Sequence, residues 1–236
     1  MIYQMAPEVF ACITGRHCMF LDLRQDRYLS VQRAAMDSLA PHIHGWQLPL
    51  ASPTCSVVRE GTILQLAADL VAAGILQPYG MQNYTHSTPA NPATQDLTSF
   101  TSQGSDSKIY SPRFRIFVAL IHADHLLRHV ALWRIVRRMS SMASGAAEQN
   151  RSDAVLTAVA LTHSFIHARP WYPRKYLCLF DSLALMLFLL RSGIHVQWVF
   201  GVREEPFGAH CWIQCGPVIL NEYFDRTCLY TPIMVV

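Results

Sequence analysis

A polar stretch at residues 81–111 limits what this chain can fold into, because it separates two regions that are each rich enough in apolar residues to form a core. The stretch consists largely of Ser, Thr, Asn, Gln, Pro and Gly and has few large apolar side chains. With 236 residues, 51% apolar and 15% charged, the chain can bury one or two substantial cores. We therefore predict two domains, residues 1–80 and 112–236, joined by a linker at residues 81–111 in which Leu97 and Phe100 can dock on a neighbouring surface.

The first region alternates between β-favouring runs and turn residues before its pattern becomes helical. Gly74 follows the last helical pattern, at the left-handed position that glycine favours after a helix. Turn residues between short apolar runs are typical of a strand meander. The pattern predicts three strands, at residues 9–14, 17–23 and 27–31, and two to three helices, two of them at residues 32–43 and 62–73.

The second region begins with helices and ends with strands. Helical periodicity and capping residues predict three helices, at residues 113–139, 153–167 and 178–191. Runs with β-type composition predict three strands, at residues 195–203, 210–215 and 218–222. Both regions therefore favour the α+β class.

Composition also excludes several classes of protein. The longest apolar run, residues 183–190, stops at Arg191 and is too short to cross a bilayer. The seven cysteines are odd in number and unevenly spaced, and the sequence shows no export signal. They therefore do not indicate a disulfide framework. A net charge of +3 is too small to indicate nucleic-acid binding. We expect a cytoplasmic protein with neither a membrane nor a nucleic acid as partner.

The second region has a pattern suited to cysteine-based catalysis, which needs a thiolate, a base and a group that orients the base. Cys178 stands at the predicted start of an apolar helix, where unpaired N–H groups favour a thiolate and can hold an oxyanion. His210 opens a predicted strand and Glu222 lies near the end of the next one, so the two side chains can meet. Asp225 or Asp181 could replace Glu222 as the third group. The alternative is a core cysteine, a core histidine and an exposed edge-strand acid.

Three segments of this region strengthen the catalytic interpretation. They are CLFDSLAL beginning at Cys178, VFGVREEPFGAHCWIQ ending at Gln214, and VILNE ending at Glu222. Over roughly residues 112–236 the chain closely resembles the lasso-peptide leader peptidases, which are transglutaminase-like (papain-related) cysteine peptidases. The resemblance implies that Cys178 is the nucleophile, His210 the base and Glu222 the acid, where that family usually has aspartate.

The first 80 residues resemble, in element order and length, the winged-helix-like RiPP recognition element that holds the leader of a precursor peptide. Such a domain is expected to bind the leader as a strand added along its third strand, with a helix as the other wall. The implied contacts are Arg27, Tyr28, Leu29, Ser30 and Val31 on the strand and Leu66 and Leu70 on the helix. The alternative is a winged-helix DNA binder, which is disfavoured because residues 32–43 carry only Arg33 as a fixed cation.

Two patterns suggest a metal site, and neither is complete. His122, His125 and His129 share one helix face, but no matching carboxylate or cysteine motif accompanies them. Cys211 and Cys215 fall at odd offsets from His210, which predicts that they face away from it and pack in the core. We expect no metal site.

The helix predicted at residues 113–139 is basic and has Asp124 as its only acid. Its arginines are Arg113, Arg115, Arg128, Arg134, Arg137 and Arg138. Such a helix can dock an acidic leader or partner enzyme, although a solvated face is the simpler interpretation.

Taken together, the resemblances imply an ATP-linked leader peptidase of bacterial lasso-peptide biosynthesis. Its partners are expected to be the lasso precursor peptide and a separate asparagine-synthetase-like cyclase. The chain has no Gly-x-x-x-x-Gly-Lys motif, so any ATP requirement is expected to act through that cyclase. Two alternatives stay open, an acyltransferase of the same fold and a non-catalytic scaffold that binds the precursor.

Overall fold

The computed structural model describes residues 2–49, 60–80, 92–100, 113–143 and 151–236. The chain divides into two compact units. The N-terminal unit comprises Met1–Ser87 and Val202–Gly208, and the C-terminal unit comprises Thr88–Gly201 and Ala209–Val236. Within the described ranges, every helix is too short or too polar to cross a membrane.

The N-terminal unit contains a three-stranded antiparallel meander. Its elements are β1 (Tyr3–Met5), β2 (Val9–Thr14), β3 (His17–Asp22), β4 (Arg27–Gln32), α1 (Arg33–Leu39), a 3-10 turn (Ala40–His42), α2 (Glu60–Ala72) and β5 (Leu76–Pro78). The meander has the order β2-β3-β4, with Phe20 opposite both Ala11 and Leu29. The three predicted strands are confirmed to within one residue. β1 and β5 pair with each other and were not predicted, because each is too short to show an alternating pattern.

One apolar core holds this unit together. Its fully or nearly fully buried members include Phe20, Met36, Leu39, Leu70 and Ile75. Leu29 and Val31 of β4 pack against this core, whereas Ser30 between them is exposed. This alternation is what the period of two in a strand requires when one face of a sheet is buried.

Residues 202–208 belong to the same unit through two side chains. Glu204 forms an ion pair with His17 of β3, and the Phe207 ring meets the edge of the Tyr28 ring at 5.7 Å. Gly15, at φ +48°, closes the β2–β3 turn, and a Cβ placed there would lie 2.8 Å from Glu204 Oε2. The left-handed backbone therefore favours a glycine here, and a larger residue would also displace the Glu204 carboxylate.

The rest of the chain forms a sheet that packs with helices. Its elements are β6 (Gln95–Asp96), a 3-10 turn (Leu97–Ser99), α3 (Arg113–His129), α4 (Leu132–Ala143), α5 (Arg151–Ala168), a 3-10 turn (Arg169–Trp171), α6 (Cys178–Arg191), β7 (Gln197–Arg203), β8 (Gly208–Cys215), β9 (Val218–Ile219), α7 (Phe224–Thr227) and β10 (Thr231–Val235). The strand order is β10-β7-β8-β9-β6. Residues 182–189 of α6 are all buried, as expected for a helix that is apolar on every face.

The helix predicted at residues 113–139 is divided into α3 and α4, which corrects the sequence analysis. Continuing the buried stripe of α3 beyond Leu126 in steps of three and four would lead to Arg134 and Arg137. A straight helix would therefore bury arginines. The break lets α4 bury a different set of side chains, Ile135, Val136 and Met139. No proline or glycine marks this position, so packing alone determines it.

Part of the predicted linker belongs to the sheet of the C-terminal unit. Residues 95–96 form β6, which runs parallel to β9, and the Asp96 carboxylate accepts a hydrogen bond of 2.8 Å from Phe224 N. This bond lowers the pKa of Asp96, and a hydrogen bond from the Thr98 hydroxyl lowers it further. Together they outweigh burial, which acts to raise it. Leu97 and Phe100 are half-buried. Residues 81–91 and 101–111 lie outside the described residues.

Candidate active site

Cys178 is the first residue of α6, as the sequence predicts. Leu177 before it is extended, and its backbone N–H donates to the Asp181 carboxylate at 2.8 Å. The Asp181 N–H in turn donates to Leu177 O at 2.9 Å, so the helix begins at a well-defined point. The first turn of a helix has backbone N–H groups without intrahelical acceptors. Cys178 therefore lies where positive partial charge is concentrated.

Arg169 supports the segment that leads to Cys178. Its side chain is only 3% exposed and forms an ion pair with Asp181. The guanidinium also donates to three backbone carbonyls, those of Tyr172, Arg174 and Lys175, at 3.0–3.2 Å. A buried charge is tolerated when its donors are satisfied in this way. Arg169 was not predicted as a site residue, because its partners become neighbours only in the folded chain.

His210 and Glu222 meet as expected. His210 Nε2 lies 2.7 Å from Glu222 Oε2, and both side chains are nearly buried. The other oxygen of Glu222 accepts from Tyr223 N at 3.1 Å, and Arg226 approaches Oε2 at 3.2 Å. Glu222 lies in the turn after β9 and not within the strand predicted at residues 218–222, since β9 ends at Ile219.

The two other candidate acids have different positions. Asp181 is held by Arg169 and by the start of α6. Asp225 is exposed on α7. Of the three candidate acids, Glu222 is therefore the one that is hydrogen-bonded to His210.

The thiol of Cys178 lies in a setting that favours its anion. Hydrogen bonds from the Cys211 thiol, from His210 and from the Cys211 backbone, together with the charge of His210, outweigh desolvation and lower the pKa of Cys178 from 9.0 to about 4. Burial acts to lower the pKa of His210, but hydrogen bonds and charges from Cys178 and Glu222 raise it above its ordinary value. Because Glu222 occupies Nε2, Nδ1 is the ring nitrogen left for the sulfur. The arrangement favours a thiolate–imidazolium pair.

A buried network fixes α6 against the strand that carries His210. Ser182, one turn after Cys178 on the same helix face, donates to Cys211 O at 3.1 Å. Asn221 donates to Ser182 Oγ at 2.9 Å and accepts from Ile213 N at 2.7 Å. These bonds connect the helix, β8 and the turn that carries Glu222.

Cys211 is a buried core residue, as its odd offset from His210 predicts. The sequence did not predict the contact that its thiol and its backbone make with the Cys178 sulfur. The alternation rule separates the side chains of neighbouring strand residues, but the backbone between them stays accessible to a third group. Cys178 lies against the start of β8, where it reaches both residues.

The three histidines of α3 make different contacts. His125 and His129 lie ring to ring at 4.7 Å, whereas His122 Nδ1 contacts the Arg191 guanidinium at 2.7 Å. Burial, followed by the charges of Arg191, Arg138 and His125, lowers the pKa of His122. Within the part of the chain that the structure describes, no three His, Cys, Asp or Glu side chains are arranged to hold a metal ion.

The residues predicted to bind a leader have mixed environments. Leu70 is a core residue at 4% exposure, and Leu66 is half-buried against the same core. The Arg27 side chain is engaged within the unit, because it donates to Ala73 O and pairs with Asp22. The structure thus leaves Leu70 little surface for a ligand, since an apolar residue on the inner face of α2 is needed for packing.

The backbone of β4, more than its side chains, is suited to binding a partner strand. It is an edge of the β2-β3-β4 sheet. Arg33 N donates to Arg16 O, so the N–H groups of residues 27, 29 and 31 point at β3. The N–H group of Ser30 consequently points away from β3.

Comparison with known protein families identifies a superfamily to which the C-terminal part of the chain is similar. A protein-family model described as the transglutaminase-like superfamily matches residues 117–235, which include Cys178, His210 and Glu222. Comparisons with curated proteins and with solved structures found no match. The family model covers half of the chain and the whole of the thiolate site, and the chain belongs to the transglutaminase-like superfamily.

Proposed function

We propose that this protein is a cysteine peptidase that cleaves the leader from a lasso-type precursor peptide. The observation that carries the proposal is the hydrogen-bonded series Cys178–His210–Glu222 at the start of α6. The resemblance of residues 112–236 to lasso-peptide leader peptidases supports this choice of substrate. Membership of the transglutaminase-like superfamily is consistent with a cysteine-peptidase-like fold.

The reaction follows from the protonation states that the site favours. The Cys178 thiolate attacks the carbonyl carbon of the peptide bond between leader and core, and N–H groups at the start of α6 stabilise the oxyanion. The His210 imidazolium then gives its proton to the departing amine of the core, and the leader remains as a thioester on Cys178. Neutral His210 takes a proton from water, which attacks the thioester and releases the leader carboxylate. Glu222 holds the imidazole in place and stabilises its charged form.

The N-terminal unit would hold the leader during this reaction. β4 is an edge strand of its sheet, and the outward N–H group of Ser30 can pair with an added strand. A leader held in this way raises the local concentration of the cleavage site, to the millimolar range for a short flexible connection. The freed core amine would pass to the asparagine-synthetase-like cyclase, and the ATP requirement would belong to that partner.

Incubation of the full-length protein with the precursor encoded beside its gene tests the proposed activity. The reaction is run with and without the cyclase and ATP and followed by mass spectrometry. We expect intact leader and core as products, with no product from Cys178→Ala. Cys228→Ala, which removes an exposed cysteine of the same unit, is the matched control and should cleave normally.

The same experiment separates the two alternative functions. Leader whose carboxyl end is joined to an amine, instead of carrying the oxygen of water, would identify an acyltransferase. Binding of the precursor without cleavage under every condition would identify a scaffold.

A second experiment tests leader capture by β4. Ser30→Pro removes an outward N–H group while leaving the ladder to β3 intact, and Ser30→Ala keeps that group. Titration of a fluorescent leader peptide should show weaker binding to Ser30→Pro, by about tenfold if one hydrogen bond of roughly 1.4 kcal/mol is lost. Equal affinities of the two variants would contradict strand addition at this edge.

A further inference from the structure

Cys211 is a buried nucleophilic group that the proposed hydrolysis does not use. It follows His210 on β8 and is 2% exposed. Its carbonyl is held by Ser182, and its thiol contacts Cys178, which stands one turn before Ser182 on α6. Peptide cleavage needs one sulfur, one base and one orienting acid, so this second thiol calls for a different explanation.

The two sulfurs differ in protonation. Burial, followed by the hydrogen bond and the charge of Cys178, raises the pKa of Cys211 well above its ordinary value. Cys211 is therefore a thiol beside a thiolate, and its S–H group donates to the Cys178 sulfur. Oxidants react with thiolates that they can reach, and Cys178 is half-buried whereas Cys211 is enclosed.

We infer that Cys178 and Cys211 form a peroxide-responsive pair in which Cys178 is the oxidised thiol and Cys211 the resolving thiol. The inference depends on the position of Cys211 against the face of α6 that carries Cys178, where Ser182 holds the Cys211 carbonyl at 3.1 Å. It holds whichever acyl group the site transfers. Its substrates are hydrogen peroxide and small organic hydroperoxides. Its product is a reversible Cys178–Cys211 disulfide, which removes the nucleophile from use.

The first step consumes the oxidant. The Cys178 thiolate attacks one peroxide oxygen, the O–O bond breaks, and the leaving alkoxide or hydroxide takes the proton of the His210 imidazolium. Cys178 is left as a sulfenic acid and His210 as neutral imidazole. The peroxide has accepted two electrons from sulfur.

The second step forms the disulfide. The Cys211 sulfur attacks the Cys178 sulfur, the S–O bond breaks, and the departing hydroxide leaves as water with the proton of Cys211, carried by His210. Two of the three influences that raise the pKa of Cys211 come from the Cys178 thiolate, and both disappear once Cys178 is a neutral sulfenic acid. Oxidation of the first thiol thus removes two influences that hold the second one protonated, while burial, the largest influence, remains.

Other described cysteines lack this arrangement. Burial raises the pKa of Cys12 and that of Cys18 to about 12, so these neighbours are two thiols without a thiolate. The Cys215 thiol faces His195 O at 3.9 Å, and Cys228 is exposed on the surface. Cys215, on the same strand as Cys211, is therefore a suitable control.

Oxidation of the full-length protein followed by peptide mapping tests the inference. The reduced protein is treated with hydrogen peroxide, quenched in acid, alkylated with N-ethylmaleimide in denaturant and digested. We expect a cross-linked peptide pair containing Cys178 and Cys211, lost after dithiothreitol, in the wild type and in Cys215→Ala. In Cys211→Ser and Cys211→Ala, Cys178 should instead accumulate as sulfinic acid, with recovery of the free thiol by dithiothreitol reduced by roughly tenfold.

Peptide mapping of the oxidised wild type tests whether Cys178 and Cys211 form a disulfide even if the Cys211 variants fold poorly. A wild-type protein whose Cys178 becomes sulfinic acid while Cys211 is still alkylated would overturn the inference. A disulfide from Cys178 to any other cysteine would do the same. The readout is a mass and needs no peptide substrate, so it is independent of whether the leader-peptidase proposal holds.

Discussion

His210 and Glu222 are joined by a hydrogen bond of 2.7 Å from Nε2 to Oε2, and the second oxygen of Glu222 is held by the backbone N–H of the next residue, Tyr223. The carboxylate is thus fixed at both oxygens before any substrate binds. A glutamate at this position reaches the imidazole with a side chain that is one methylene longer than that of aspartate. Substitution of Glu222 therefore measures the contribution of this carboxylate to catalysis.

Replacing Glu222 should slow cleavage without unfolding the protein. Glu222→Gln keeps the shape of the side chain but loses its charge, so imidazolium is less stabilised, and we expect kcat to fall by about 10²–10⁴-fold. Asp225→Asn is the control, because Asp225 is an exposed acid three residues on, and it should retain full activity. Initial rates of precursor cleavage are measured for both variants. A normal rate for Glu222→Gln would assign the orienting role to another group.

The pH dependence of kcat/KM should be bell-shaped. Activity rises as Cys178 loses its proton, near pH 4, because the pKa of that thiol is lowered to about 4. It falls when His210 loses its proton, above the ordinary value of 6.5, because contacts with Cys178 and Glu222 raise that pKa. The two limbs belong to the coupled pair and not to single residues. Since Glu222 favours the charged imidazole, Glu222→Gln should move the alkaline limb to lower pH, and an unmoved limb would contradict this coupling.

Arg169 should be important for stability as well as for activity. Arg169→Met leaves Asp181 without its buried partner and three carbonyls without a donor, so the free energy of unfolding should fall by about 3–5 kcal/mol. Chemical denaturation measures this change. Adding Asp181→Asn should restore part of the loss, because it removes the uncompensated charge. Arg137→Met, on the exposed face of α4, should change stability by no more than about 0.5 kcal/mol.

Ser182 should affect the site through its position. Ser182→Ala removes the bond to Cys211 O and leaves the Asn221 amide without an acceptor, for a loss of about 1–3 kcal/mol in unfolding free energy. We also expect a lower kcat with little change in KM, since the nucleophile and the base lose their common anchor. Ser192→Ala, at the other end of the same helix, removes only a bond to Phe188 O and should leave kcat unchanged. Equal kcat values for the two variants would contradict the anchoring role.

Gly201 in β7 should resist substitution for steric reasons. A Cβ at this position would lie 2.9 Å from the Trp212 ring and 2.9 Å from the Tyr230 Cβ, so Gly201→Ala should lower the free energy of unfolding by about 1–3 kcal/mol. Gly61→Ala, where nothing lies within 4 Å, should stay within about 1 kcal/mol of the wild type. Thermal or chemical denaturation of both variants tests this difference.

Local sequence was enough to predict the elements on which the candidate site stands. The start of α6 at Cys178 follows from a change from polar to apolar residues, and β2, β3 and β4 follow from alternation between turns. Contacts between distant segments could not be predicted in this way. Arg169 meets Asp181 twelve residues on, and Asn221 meets Ser182 thirty-nine residues back, without a periodic signal in either case.

The amino-acid sequence by itself determined where the cysteine, the histidine and the acid stand on their elements, because helix starts and strand alternation are local properties. Only the tertiary structure decided that Glu222, and neither Asp181 nor Asp225, reaches His210. It also placed the Cys211 thiol against Cys178 and divided the basic helix so that its arginines stay exposed. The physical reason is that a side chain's pKa and partners depend on what packing brings within a few ångströms of it, and those groups come from remote parts of the chain.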